Sequence, residues 1–551
     1  MVSEYEKQRL KNIENNQKLL DELGLGDASN EIFGVVKKKP AVKREKKKRD
    51  DNVPLRRSNR NVNNDDNHEP QSLKRKLEKE ELEREAKEKE EEEYDLLKRS
   101  MMKRDLNLFE LFKSDPLDHI IRNVHHNLNN KRVKIEDEVN NKINEDDDNN
   151  DDDGNDHEFQ SNRLGTLLKS IKPIECKPKH SDDQYQSNDN RQFNNLSKCL
   201  KPKILQKVTT DRIHSIQFHP EPTFDLIFAG ERYGQLGIFK YDENGNDENQ
   251  TEVYKLQPHL NRFALSCIRF DVQNSKIAYT ASYDCTVRAF DFETGISHQI
   301  FKSNDDEYHD TNRLITHIDI SPSNPHIMWI SDNNGGISKL DLRSRNQRGT
   351  RYVLGDYKIG SVSTHPNDKD LLCTASNDRS IKIWDIKQIE NSVRNIKPSI
   401  DIDGGLPYYE IDRKLSVASY EHRKAVTSAY YNPTGSHIVT TSFDNTLGLF
   451  DNRLKLLKSF KHNNETGRWL SVFRSPWLHL KPHLGISHSF ISPSIQRQIE
   501  IWSIHDQTSP SIAYKDENLI TAVPAVVTSK PNSDKVTLAG GNASGKVIIY
   551  K

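Results

Sequence analysis

No two of the five cysteines (Cys176, Cys199, Cys267, Cys285 and Cys373) are spaced Cys-x-x-Cys, and their number is odd. Their spacing excludes a disulfide framework and a structural zinc site, and points to reduced residues of an intracellular protein. Long apolar runs are missing too. None approaches the roughly 18 residues of a membrane helix, and the polar start MVSEYEKQRL is no signal peptide. A soluble intracellular chain without membrane contact is expected. There is no phosphate-binding loop, no HExxH and no GxSxG, and histidines stand singly in turns such as FHP and THP (His219, His365). No enzyme, metal, cofactor or small-molecule substrate is therefore expected. Apolar residues are themselves scarce, 33% against 30% charged, too few for a chain that is globular throughout.

The shortage is uneven. Residues 1–200 hold 40 basic and 44 acidic side chains and 201–551 hold 42 and 39, which sums to the net charge of −1. Overall charge thus names no partner, and only local patches carry information. Residues 1–24 read as an amphipathic helix, with Leu10, Ile13, Leu20 and Leu23 near one stripe and Gly24 as its C-cap. It would dock on a partner or on the protein's own core. The remainder, 25–199, reads as a disordered charged region in three parts. Between Lys37 and Arg60 stand twelve basic and three acidic residues, a nuclear-localisation pattern that also holds phosphate weakly. Residues 72–104 favour a solvated helix laced by i,i+4 ion pairs. The acidic, Asn-rich tract 144–158 cannot fold alone; it would contact histones, mask the basic segment or keep the tail soluble.

Residues 200–551 hold the tryptophans and a repeat. SNDRSIKIWDIK (376–387) is a tight turn followed by an alternating strand, and the pattern recurs in RYGQLGIFK, SYDCTVRAFD, DNNGGISKLD, SFDNTLGLFD, QRQIEIWS and NASGKVIIYK. The strand-end residues Phe239, Phe290, Leu340, Trp384, Phe450, Trp502 and Tyr550 are separated by 51, 50, 44, 66, 52 and 48 positions. Five units open with a strand running into a turn: IHSIQFHP, LSCIRFDV, ITHIDISP, IGSVSTHP and VTSAYYNP. Asp284, Asp378 and Asp444 stand where a turn aspartate ties neighbouring loops. Short antiparallel strands at this period are what the blades of a WD40 β-propeller require. The expected fold is all-β, a seven-bladed WD40 β-propeller over 200–551 preceded by a largely disordered, charged, partly helical region. A ring must close or leave an open edge. The last unit lacks an outer strand, and KILQKVTT (203–210) is apolar enough to supply it.

The stretches DRIHSIQFHP, AGERYGQLGIF, YTASYDCTVRAFDFETG, HRKAVTSAYYNP and LAGGNASGKVIIYK resemble the small, lesion-reading subunit of the ultraviolet-damaged-DNA-binding complex. They resemble more closely the fungal WD-repeat DNA damage-binding proteins of the same group. The resemblance implies a nuclear DNA-binding protein, with cytoplasm as a second location, and no enzyme. In such relatives one face of the ring grips the duplex backbone and a loop wedges into the minor groove. By this resemblance Arg212, Arg232 and Lys358 take positions of phosphate contacts, and Arg423 and Lys424 occupy the equivalent loop one blade later. The wedge falls within KHNNETGRWLSVFRSPWLHLKPH (461–483). Where the lesion reader has a Phe-Gln-His step, this chain reads Thr466-Gly467-Arg468-Trp469, so its loop is a different reader. Arg468 suits a narrow, negative minor groove and Trp469 offers a face for an unstacked base. Residues 451–499 carry eight Lys or Arg and two acids. Trp477 is expected to pack inside its blade. The implied activity is binding of single- and double-stranded DNA with a preference for damaged duplex.

A WD40 ring is equally a docking platform. LDLR (Asp341, Arg343) and FDNR (Asp451, Arg453) resemble the Asp-x-Arg box that substrate receptors present to the adaptor of a cullin–RING ubiquitin ligase. The alternative partners are that adaptor, histones or chromatin proteins, and the bland reading of each box is an Arg that caps its own loop.

Overall fold

The computed structural model describes residues 105–113, 152–174, 200–245, 250–303, 313–344, 349–400, 406–478, 488–516, 519–531, 533 and 535–551. The expected helix 1–24, the basic segment 37–60, the helix 72–104 and residues 144–151 of the acidic tract lie outside them.

Seven sheets form the seven blades of a β-propeller. Blade 1 shows the plan, an antiparallel meander of Ile213–Phe218, Asp225–Glu231, Leu236–Tyr241 and Thr251–Leu256 from channel to periphery. Burial grades along that path. The inner strand Ile359–Thr364 of blade 4 is buried at every position, and the outermost Leu456–Lys461 of blade 5 almost nowhere. An inner strand has a neighbouring blade on each face, whereas an outer one faces water, so apolar runs give way to Lys-rich edges.

Two local devices repeat around the ring. Each inner strand of blades 1 to 5 carries a β-bulge after its first residue, whose extra residues are His214, Ser266, Thr316, Gly360 and Thr427. Bulges re-aim side chains where sheets end. The turn between second and third strands holds one left-handed residue in every blade: Gly234, Cys285, Gly335, Arg379, Asn445, Arg497 and Gly545, with φ from 62 to 84°. At Gly335 nothing larger fits, since a Cβ would stand 1.9 Å from the Gly355 carbonyl oxygen.

The outer strand of blade 7 is Pro202–Lys207, paired antiparallel with Lys546–Tyr550. Val208 and Thr209 leave the ladder and donate to the Gly545 carbonyl at 2.9 and 3.1 Å. The 66-residue gap before Phe450 is an insertion in blade 4. Asp385 caps a helix, Ile386–Val393, and the chain then adds Tyr408–Glu410 in parallel to Thr350–Val353 as a fifth strand of blade 3. Blade 6 has three named strands; residues 471–478 fill its inner place through the bridge Trp477 to Phe490. Pro476 cannot donate to a ladder there.

Two segments of 25–199 take fixed structure on the outside of blades 1 and 2. Leu106–Asn107 pairs with Ile296–Lys302 as a fifth strand of blade 2, and Asn107 and Glu110 form a capping box for Leu108–Leu111. The helix Asp152–Ser170 buries Leu164 and Leu168, joined by Ile171, in one cluster with Leu106, Leu111, Phe228, Phe270, Phe290 and Phe292. These few leucines at i, i+4 spacing extend the apolar cluster of blades 1 and 2.

Candidate nucleic-acid interface

In a four-stranded meander, the loop leading into the inner strand and the turn between second and third strands lie at the same end of the blade. Hydrogen bonds join them around the ring. Arg232 N–H donates to Arg212 O at 3.0 Å, Tyr283 to Ala264 at 3.0 Å, Asn333 to Leu314 at 3.1 Å, Asn377 to Lys358 at 2.9 Å and Phe443 to Ala425 at 3.0 Å. These contacts define one rim. Arg212 and Lys358 hold equivalent places on it, and Arg232 holds the partner place in blade 1. Arg423 and Lys424 lie in the lead-in loop of blade 5.

Carboxylates hold this rim together. Asp284 Oδ2 meets His259 Nδ1 at 3.2 Å, and the ring's other nitrogen meets Thr280 Oγ1 at 2.9 Å. Asp444 repeats the contact with His422 at 3.2 Å and accepts the N–H of Arg423 at 3.2 Å. Asp378 instead ties its own turn, accepting from Ser380 N–H at 2.8 Å. His219 and His365 serve the opposite end, reaching the backbone carbonyls of Ser275 at 3.0 Å and Gly435 at 3.1 Å in the next blade.

The tip 466–470 stands on the rim. Gly467 is left-handed (φ 57°), and a Cβ on it would meet nothing within 4 Å. Arg212 Nη1 donates to the Arg468 carbonyl at 2.9 Å, and Ser471 Oγ to the Ile213 carbonyl at 2.5 Å, so the base of the tip is fastened to blade 1. Trp469 is 75% exposed, with the Arg468 guanidinium 5.3 Å from its ring centre. Trp477 is 2% exposed; its indole N–H donates to the Tyr430 carbonyl at 2.8 Å.

Cations and rings alternate beside the tip. Arg232 lies 5.4 Å from the Tyr233 ring centre, and Lys358 5.4 Å from that of Tyr283, whose hydroxyl its Nζ meets at 3.3 Å. Tyr233, Phe263 and Tyr357 are exposed. Lys424 pairs with Glu465, the acid of the tip segment, at 3.5 Å. The imidazole of His214 registers the combined field. Burial pushes it down to about 4, and Arg212, Arg474, Arg232 and Lys358 add to the depression. Four cations from blades 1, 4 and 6 therefore act on one point. Arg474, His214 and the exposed tyrosines escaped the sequence reading. Arg474 stands in an inner segment without alternation, and His214 only acquires its position through a bulge.

The Asp-x-Arg boxes follow the third strands of blades 3 and 5, at the opposite end of those blades from the rim. Arg343 closes on Asp341, Nε to Oδ1 at 3.0 Å and Nη2 to Oδ2 at 2.6 Å, and holds that carboxyl down at about 2. In the second box Asp451 accepts the backbone N–H groups of Arg453 and Lys455 at 2.9 and 2.8 Å. Among the described residues no His, Cys, Asp and Glu cluster could hold a metal, and no helix is long and apolar enough to cross a membrane.

Seven meanders closed by an N-terminal strand, with turn aspartates reaching lead-in histidines, define a WD-repeat β-propeller. The WD40 domain, G-beta repeat family matches residues 250–291, 351–385 and 414–451. The chain is similar to fungal proteins named DNA damage-binding protein CMR1. It is 28% identical to that of Cryptococcus neoformans var. neoformans over 68% of this chain and 74% of the relative. Identity is 28% to that of Scheffersomyces stipitis (100% of this chain, 99% of the relative) and 27% to that of Meyerozyma guilliermondii (100% of each). The resemblance to fungal WD-repeat DNA damage-binding proteins, expected from the blade sequences, is thus borne out.

Proposed function

We propose that the protein binds DNA in the nucleus, in DNA metabolism or the response to damage, and that the basic rim is its DNA-binding surface. Arg212, Arg232, Lys358, Arg423 and Lys424 neutralise phosphates, which gives affinity without sequence preference. Arg468 and Trp469 enter the minor groove and take up an unstacked base. Unstacking an intact step costs a few kcal/mol, and a lesion has already met part of that cost. Damaged duplex is therefore preferred over intact duplex, and single strands bind through the same rings and cations. The observation that carries this reading is the placement of Arg212, Arg232 and Lys358 on one rim, next to a fastened tip that exposes a tryptophan.

The test is fluorescence anisotropy of the full chain with intact duplex, ultraviolet-irradiated duplex and single strand over a series of salt concentrations. Affinity should fall linearly in log–log terms with salt, and Arg468→Glu should reduce binding to irradiated duplex about tenfold or more. Salt-independent binding, or an unchanged Arg468→Glu, would sink the reading. The second reading, a scaffold or substrate receptor docking a cullin–RING ligase adaptor or chromatin protein, draws support from the second box, where Asp451 caps its turn and Arg453 is exposed. The closed Asp341–Arg343 pair favours a loop cap at the first.

A further inference from the structure

Below the rim the ring encloses a cavity of about 340 Å³. Arg474 crosses it from blade 6, donating through Nη2 to the carbonyls of Thr316 at 3.3 Å and Gly360 at 3.0 Å, the bulged residues of blades 3 and 4. Arg269 reaches His317 Nε2 at 3.2 Å and Asp319 at 3.4 Å, and the Tyr430 hydroxyl meets the same His317 nitrogen at 3.3 Å. Asp319 is committed, since its other oxygen accepts from Thr364 N–H at 2.8 Å and Oγ1 at 2.9 Å. These side chains make a polar floor, and the one carboxylate in it is fully bonded.

His214 is the bulged residue of blade 1, and like Arg474 it lines the cavity. Its Nε2 is buried and makes no hydrogen bond among the described residues, and the same holds for Nε of Arg212 beside it. A buried polar nitrogen left unpaired costs about 1–3 kcal/mol, and Arg212 Nε, always an N–H, asks for an acceptor. Two acids of the same loops are each engaged through one oxygen. Glu231 accepts from Thr210 Oγ1 at 2.9 Å and Asp211 N–H at 2.6 Å, and Asp211 accepts the N–H of Arg212 at 2.5 Å. The mouth thus has an excess of positive charge, two buried nitrogens without a partner among the described residues, and room beneath them.

We propose that the channel mouth is a subsite for a phosphate dianion with at most one ester link, which accepts hydrogen bonds from Arg212 Nε and His214 Nε2 above Arg474, beside Arg232 and Lys358. A monoester offers three acceptor oxygens and nearly two charges. It also has only one covalent attachment. An internal backbone phosphate is tethered on both sides and stays at the rim, whereas a strand terminus can lower its phosphate between His214 and Arg474. The source is either the 5′ end of a nucleic-acid strand or free inorganic phosphate. The first source rests on the DNA-binding reading; the second does not.

Two arms on the full chain separate these sources. In the first, one single-stranded oligonucleotide is compared with a 5′-phosphate and with a 5′-hydroxyl. In the second, inorganic phosphate is titrated calorimetrically against chloride at matched ionic strength. The phosphorylated strand should bind about tenfold more tightly, His214→Gln should cut that advantage below about twofold, and thermal melting should verify that the variant is folded. Phosphate binding without an end effect assigns the subsite to the free ion, and an end effect alone assigns it to the strand. Equal affinity of the two oligonucleotides together with no heat from phosphate overturns the proposal, whatever the variant does. If neither oligonucleotide binds, the DNA reading falls and the phosphate arm alone decides.

Discussion

Two tryptophans eight positions apart have opposite fates. Trp469 stands in water on a fastened tip, whereas Trp477 fills blade 6 against Phe490. Trp469→Ala should leave the melting temperature within about a degree or two, because exposed side chains contribute within roughly 0.5 kcal/mol. It should weaken DNA binding by 1–3 kcal/mol, the usual loss when a stacking ring is removed. Trp477→Ala should do the reverse, costing on the order of 3–5 kcal/mol of stability; calorimetry and anisotropy on both variants check the pair. The tip could be read from the sequence because an Arg-Trp step in a basic stretch has little other use. His214 and Arg474 could not, since their importance lies in where a bulge and an irregular inner segment aim them.

Histidine burial also sets a dependence on acidity. His214 and His219 are pushed down to about 4, chiefly by burial, while in the unfolded chain both titrate near 6.5. Below about pH 6.5 the unfolded state takes up protons that the folded state refuses, so stability falls as pH falls and the loss is complete once pH drops past 4. At about 1.4 kcal/mol per unit, each histidine accounts for roughly 3–4 kcal/mol. The urea midpoint should therefore decrease between pH 6.5 and 4, and His219→Gln, if folded, should flatten part of that decrease.

Among elements, the strands were legible because alternation and turn residues recur at each blade, and the insertion in blade 4 showed as one long interval. The segments 105–113 and 152–174 were not. Their apolar residues are few and diluted by polar neighbours, and their partners are rings on strands more than fifty residues further on. Leu164→Ala with Leu168→Ala should cost about 2–5 kcal/mol for each fully buried leucine. The loss should appear as a lower melting temperature with DNA affinity unchanged, since this helix packs on the periphery of blades 1 and 2. An unchanged melting temperature would mean that the helix contributes nothing to the ring.

For the whole molecule, the two ends of the blades carry different chemistry. The end with the rim concentrates cations and exposed rings; the other carries the Asp-x-Arg turns. Arg232→Ala and Lys358→Ala should each reduce the slope of log affinity against log salt by about 1 if each neutralises a phosphate. Arg453→Ala should leave that slope unaltered. A slope indifferent to Arg232 and Lys358 would remove them from the interface. Fold and ring closure were readable from periodicity. The shared floor of the channel was not, because Arg269, His317, Tyr430 and Arg474 meet only once blades 2, 3, 5 and 6 face a common axis.

Pairing of Pro202–Lys207 with Lys546–Tyr550 joins strands roughly 340 residues apart. During synthesis at 5–20 residues per second, the first of them waits on the order of tens of seconds before its mate leaves the ribosome. Through that interval the nascent protein exposes a lone strand and an unfinished seventh blade, both prone to adhere to other chains. Chaperone supply during translation, more than the strength of the finished ring, should then limit how much of this protein a cell accumulates.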